Sequence, residues 1–208
     1  MEGRDSPPGN HVTHVPPTPS PAATPLGVNK PSGAAKAGVR LFVMDVDGTL
    51  TDGTITYGDD GGETKSFHAR DGAGIHLLKV AGIEAAIVTG RSSAAVTRRA
   101  AELGIVEVVQ GVKDKAMAVR SLRYHRGLAA DAVAYVGDDL SDLLAMREAA
   151  FSAAPADAAA EVRRISTFVC TKAGGRGAVR EAIETLLKRE GRWDEILASF
   201  GAAGPVSR

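Results

Sequence analysis

The sequence predicts an α/β domain of the doubly wound, Rossmann-like type, a parallel sheet with helices on both faces. Three observations lead there. Apolar runs of strand length, "RLFVMD", "IEAAIVTG", "IVEVVQ" and "AVAYVGD", recur from Val39 onward, with a weaker "TFVCT" near the end. Their continuous apolar character requires burial on both faces, as in a parallel sheet. Between them, "GAGIHLLKVAG", "SSAAVTRRAAELG" and "KDKAMAVRSLRYHRG" carry apolar residues at helical spacing and close at glycine.

Each element has its own signal. "RLFVMD" is the first strand and ends on an acid. "TITYGDDGGETKSF" holds two short β-prone runs around an acidic, glycine-rich turn, which predicts a hairpin projecting from the end of that strand. Asp71 and Ser92 stand where the N-caps of the next two helices belong. The last stretch, "GAVREAIETLLKREGRWDEILASF", reads as a helix followed by a shorter one. The domain therefore spans 39–190, and 191–208 is expected to be a C-terminal helix and mobile tail.

Residues 1–38 have a different texture. Eight of the ten prolines fall there, among Ser, Thr, Gly and Ala. Such a segment buries too little apolar surface to offset its ordering entropy, so it is expected to be a disordered tail. Over all 208 residues, 25 Lys and Arg balance 25 Asp and Glu. No net field favours nucleic acid or an anionic membrane as partner. No apolar run approaches the ~20 residues of a membrane helix, and the N-terminus lacks the apolar core of a signal peptide. The single cysteine, Cys170, rules out an internal disulfide and is expected to be a buried strand residue. A cytoplasmic protein fits these features.

The polar residues collect at the carboxyl ends of the expected strands, where ligands of such folds bind. Asp45 and Asp47 close the first strand, and Thr89-Gly90-Arg91 close the second. Lys115 opens a helix after the third, and Asp138 and Asp139 close the fourth with Asp142 one turn on. Clustered carboxylates raise one another's pKa unless a cation lies among them. With oxygen ligands and no Cys or His cluster, Mg²⁺ is the expected ion, completed by a substrate phosphate. Thr89 before a helix N-terminus and the Lys115 ammonium suit a phosphoryl group. Asp45 and Asp47, two apart on a strand, face one way. One can attack phosphorus and the other serve as acid and base.

"DVDGT", "TGR", a lysine and "GDDLSD", in that order, resemble the four motifs of the haloacid dehalogenase-like phosphatases. The resemblance implies Asp45 as nucleophile and metal ligand, and Asp47 as acid/base that also ligates Mg²⁺ through its backbone carbonyl. It further implies Asp138 as metal ligand, Thr89, Gly90 and Lys115 as phosphate-binding residues, and Asp139 and Asp142 in support. "DVDGTLTDGTITY", "GGETKSFHARDGAGIHLL", "QGVKDKA" and "GGRGAVREAIETLL" are similar to one branch, the 3-deoxy-D-manno-octulosonate 8-phosphate phosphatases. Read alone, "GGRG" would be a loop and helix start.

The first two motifs leave room for no cap domain, only the hairpin and then one helix and one strand. The branch implies a homotetramer in which hairpins assemble, neighbouring subunits complete the sites and the C-terminal segment is a mobile lid. A phosphorylated sugar acid would be the substrate. Its carboxylate would suit Arg70, Arg91 or Arg176, and its hydroxyls Glu63 and Lys65. The rival substrate is a nonulosonate 9-phosphate on the same scaffold. A phosphoacceptor signalling domain would place its lysine last, which this order does not, and a non-catalytic scaffold would not need Asp45, Asp47, Lys115 and Asp138 together.

Overall fold

A computed structural model describes residues 38–202. The proline-rich segment expected at 1–38 lies outside these residues except for Gly38, as does the end of the expected C-terminal tail, 203–208. Six strands form one sheet in the order β5-β4-β1-β6-β7-β8, all parallel. They are β1 Leu41–Met44, β4 Glu84–Val88, β5 Glu107–Val109, β6 Val133–Val136, β7 Phe151–Ala154 and β8 Phe168–Val169. From β1 the chain builds outward through β4 and β5, then returns to add β6, β7 and β8 on the other side. The strand order thus reverses at β1, and the crevice beyond its carboxyl end is where such sheets bind ligands.

The central strands are buried on both faces because alternate residues feed two separate cores. Phe42, Met44, Ile87 and Val136 point into one, beneath α1 (Ala69–Val80), α2 (Ala94–Leu103) and α6 (Ala178–Arg189). Leu41, Val43, Val88 and Tyr135 point into the other, beneath α3 (Lys115–His125), α4 (Leu143–Met146) and α5 (Ala160–Ile165). This period-two split of an apolar run produces the doubly wound architecture. A last helix, α7 (Trp193–Ser199), sends Ile196 into the first core. Cys170 is buried there too, its thiol pushed up to about 12 by burial, so it is a packing residue.

The hairpin is as expected, with β2 Thr56–Tyr57 antiparallel to β3 Glu63–Thr64 and Tyr57 opposite Glu63. Its turn closes through Gly58 N to Gly62 O at 2.8 Å. Only this hairpin separates β1 from α1, and only α2 and β5 separate β4 from α3, so no cap domain is inserted at either place.

Two local expectations need correction, and one strand had none. Asp71 does not cap α1; His68 does, accepting from Arg70 N through Nδ1. Asp71 lies one turn in, buried, and accepts from Gly177 N (3.2 Å) and Arg180 N (2.8 Å), so it caps α6 across the interface between the two helices. The N-cap of α2 is Ser93, not Ser92. Strand β7, "FSAA", has no sequence expectation: three of its four residues are small, and it carries no β-branched residue to mark it. No described helix is long and apolar enough to cross a membrane.

Candidate active site

The site grows from the turn after β1. Asp45 continues the ladder, its N–H donating to Val136 O at 3.0 Å, and this places its buried carboxylate at the sheet edge. Lys115, first residue of α3, reaches the same spot because Asp114 caps that helix, accepting from Met117 N. The Lys115 ammonium lies 3.0 Å from Asp45 Oδ2 and 2.8 Å from Asp142 Oδ1.

Asp142 is fully buried and takes four hydrogen bonds. Besides Lys115 it accepts from Tyr135 OH at 2.7 Å and from the backbone N–H groups of Asp138 and Asp139 at 3.1 Å. It thereby folds the "GDD" turn over itself. A Cβ on Gly137 would stand 2.4 Å from the Asp142 carboxyl carbon, so the turn needs glycine there. Asp138 projects toward Asp45, with Thr49 donating to its Oδ1 at 3.0 Å. Gly48 adopts a left-handed φ of 83°, and a Cβ there would meet Asp138 Oδ2 at 2.1 Å. Asp139 turns outward and caps the short turn at 140–142 through Leu140 N.

Carboxylate oxygens of Asp45, Asp138 and Asp142 fall within 4.8 Å of one another. Burial and the neighbouring Asp142 push Asp45 up to about 6 against the pull of Lys115, and burial and Asp45 push Asp138 up to about 7. One lysine does not neutralise this set. Asp45 Oδ1 is buried and has no hydrogen-bond partner among the described residues. Asp142 has spent its lone pairs, whereas Asp45 and Asp138 have oxygens to offer, so these two fit a hard divalent cation.

Thr89, Gly90, Arg91 and Lys113 complete a cleft of about 230 Å³ with Asp45, Asp47, Lys115, Asp138 and Asp139. Thr89 is buried, held between Val109 O and Val112 N by its own backbone groups. Asp47 stands apart from the other carboxylates. It is ion-paired with Lys65 of the hairpin and lies 3.7 Å from Arg91 Nε. Glu63 joins both, at 3.1 Å from Lys65 and 2.5 Å from Arg91, and these cations hold its carboxyl down at about 2, Arg91 foremost. Tyr57 OH accepts from Arg91 at 3.3 Å.

Arg70 and Arg176 are not in this cleft. They line a separate groove of about 410 Å³ with Lys172 and Arg180, and Arg176 pairs with Asp52 at 3.3 Å. The "GGRG" glycines nevertheless bear on the site. Gly175 N donates to Thr49 O at 3.0 Å, and a Cβ on Gly174 would lie 1.9 Å from Gly48 O. The turn at 173–176 therefore presses bare backbone against the loop carrying Asp45 and Asp47. Sequence reasoning passed over Thr49 and Tyr135. Thr49 stands inside "DVDGT", and Tyr135 is the one hydroxyl in an apolar strand ahead of "GDD".

The chain matches the haloacid dehalogenase-like hydrolase family over residues 100–183. It is 44% identical over 174 residues to the 3-deoxy-D-manno-octulosonate 8-phosphate phosphatase of Salmonella typhimurium, covering 83% of this chain and 93% of that one. The crystal structure of the Moraxella catarrhalis enzyme of that name, in complex with magnesium, phosphate and KDO, superposes with a TM-score of 0.76 at 47% identity, over 79% of this chain and 95% of that one. The cobalt-bound deoxy-D-mannose-octulosonate 8-phosphate phosphatase of Haemophilus influenzae gives 0.71 at 39% identity, over 74% and 91%. With this identity over nearly the whole length of its relatives, and with their fold, the chain belongs to the 3-deoxy-D-manno-octulosonate 8-phosphate phosphatase family of haloacid dehalogenase-like hydrolases.

Proposed function

We propose that the protein is a Mg²⁺-dependent phosphatase that hydrolyses 3-deoxy-D-manno-octulosonate 8-phosphate through an aspartyl-phosphate intermediate. The observation that carries the chemistry is the buried Asp45 carboxylate, with one oxygen on Lys115, the other without a hydrogen-bond partner among the described residues, and the Asp138 carboxylate within 4.8 Å. Family membership and the KDO complex of the Moraxella catarrhalis enzyme support the substrate.

In this reading a carboxylate oxygen of Asp45 attacks phosphorus and the bond to the sugar oxygen breaks. Asp47 gives its proton to that oxygen as the sugar leaves. Asp47 then takes a proton from water, which attacks phosphorus, breaks the bond to Asp45 and releases phosphate. Lys115, Thr89 and Gly90 hold the phosphoryl oxygens in the cleft. Asp45 and Asp138 hold the cation, with the Asp47 carbonyl as the family resemblance implies. Bound Mg²⁺ supplies positive charge against the phosphoryl oxygens and between carboxylates that otherwise repel. Asp139 and Asp142 fix the turn that carries Asp138. Arg91, held by Glu63 at the cleft edge, is placed to meet the substrate carboxylate.

The protein acts in the cytoplasm as a homotetramer in this proposal. A lone buried cysteine supports the compartment. The uncapped core and the exposed Ile55 and Tyr57 of the hairpin support assembly. Phosphate release from octulosonate 8-phosphate, a nonulosonate 9-phosphate and hexose phosphates, with and without Mg²⁺, tests the reading. The eight-carbon substrate is expected to give the highest kcat/KM and Asp45→Asn none. Preference for the nine-carbon substrate would overturn the substrate, and turnover by Asp45→Asn equal to wild type would overturn the mechanism.

A further inference from the structure

The hairpin does more than project. Lys65 is a lysine at the base of β3, yet its side chain is only 1% exposed. It spends its charge on two carboxylates, Asp47 and Glu63, and Glu63 in turn is braced by Arg91. Burial works against the Lys65 charge, and the two acids outweigh it, so the ammonium is held above its usual range. Two cations and two acids thus form a closed web at the rim of the cleft. Asp47 is its only member from the β1 turn; the others come from the hairpin and from the end of β4.

Asp47 needs such a brace. Asp45 is fixed by Lys115 and by its burial, and Asp142 by four donors, whereas among the described residues the Asp47 side chain meets Lys65 and Arg91. Of these, Arg91 stands at 3.7 Å and Lys65 makes the direct hydrogen bond. A carboxyl group that must meet a departing oxygen and then a water has to be aimed, and a charge-assisted hydrogen bond from a buried lysine aims it.

We propose that Lys65 is a positioning residue that orients the Asp47 carboxyl for proton transfer to the leaving sugar. The assignment rests on the phosphatase reading and adds to it a hairpin residue that acts through Asp47 without touching phosphorus. It predicts a dependence on the leaving group. A sugar alkoxide needs a proton to depart, whereas p-nitrophenolate departs without one, and kcat/KM reports only the steps through that departure.

The experiment measures kcat/KM of full-length Lys65→Met on octulosonate 8-phosphate and on p-nitrophenyl phosphate, with thermal melting alongside. The sugar phosphate is expected to lose at least ~30-fold and the aryl phosphate less than ~3-fold, since a misaimed acid forfeits part of the ~10²–10⁴-fold that general acid catalysis supplies. Lys65→Gln, which keeps a neutral N–H donor, is expected to fall between wild type and Lys65→Met on the sugar phosphate. In an Asp47→Asn background Lys65→Met is expected to cost nothing further, because the lysine acts through that carboxyl. Equal losses on both substrates, or additive losses in the double variant, would overturn the positioning role and leave the phosphatase intact. Absence of turnover by wild type on both would overturn the phosphatase reading and this role with it.

Discussion

Asp45 and Asp142 sit in one carboxylate cluster and do opposite things. The four donors on Asp142 make it a strut that ties α3, β6 and the "GDD" turn together. Asp45 keeps an oxygen open in a place where burial disfavours charge. Replacing each with asparagine should therefore split function from stability. Asp45→Asn should abolish turnover, by at least ~10³-fold, and leave the melting temperature of the metal-free protein equal or higher at pH ~7.5, since it removes a repelled charge. Asp142→Asn should lower the melting temperature, because an amide NH₂ would face N–H donors and break a buried network, at ~3–5 kcal/mol. Calorimetry and a phosphate-release assay on the two variants check both halves.

Among the elements, the turn at 173–176 carries the most constraint per residue. A Cβ on Gly174 has no room against Gly48 O, and one on Gly175 would stand 2.5 Å from Asp52 N. Gly174→Ala must push the 48–52 loop, and with it Thr49, away from Asp138. We expect a stability loss of ~1–3 kcal/mol, typical of overpacking, and a kcat reduced by more than ~10-fold with an increased Mg²⁺ requirement. Steady-state kinetics across a magnesium titration, beside a melting curve, test this.

The same level shows what the sequence can and cannot reveal. β1, β6 and the end of β4 were legible because burial on both faces writes an unbroken apolar run, the half-buried edge strand β5 keeps two valines of it, and the acids at the strand ends then locate the cleft. β7 was not, because Ser and Ala give no such run. Asp71 misleads for a physical reason: the cap rule is local, but this carboxylate serves a helix 106 residues downstream. The pairing of Asp47 with Lys65 depends on how the hairpin folds back, which residue spacing does not encode. The tight packing behind "GGRG" was invisible for the same reason, since what it requires is an absence of side chain.

At the scale of the whole molecule, the fold carries an electrostatic liability at its centre. Asp45 and Asp138 have folded-state values of about 6 and about 7, above the ordinary range near 4. A group whose pKa rises on folding stabilises the folded state fully below its unfolded value and loses that contribution as pH rises through the folded value. For the metal-free protein these two groups favour folding at pH ~4 and cease to do so by pH ~7.5. In the proposed site Mg²⁺ binds the deprotonated pair, so the rise in melting temperature on adding Mg²⁺ should be small at pH ~5.5 and largest near pH ~7.5. A fluorimetric melting series with EDTA or excess Mg²⁺ reads this directly, and a rise independent of pH would contradict it. Assembly belongs to the same scale. Ile55, 44% exposed on the hairpin, should tolerate aspartate in a monomer but not in an interface, so under the proposed homotetramer Ile55→Asp should shift the light-scattering mass from four chains to fewer, and an unchanged mass would count against the hairpin interface.

The reach of the 173–176 turn also sets the order in which the site can come into being. Arg176 meets Asp52 across 124 residues of chain, and Val39 meets Glu190 across 151. On the ribosome the β1 strand and its aspartates emerge well before the backbone that fixes their loop. A nascent chain halted after β7 would own every group proposed above for catalysis and still have nothing behind the loop that aims two of them. Synthesis must pass residue 176 before the loop is locked, so a chain halted short of that point is a poor phosphatase by construction.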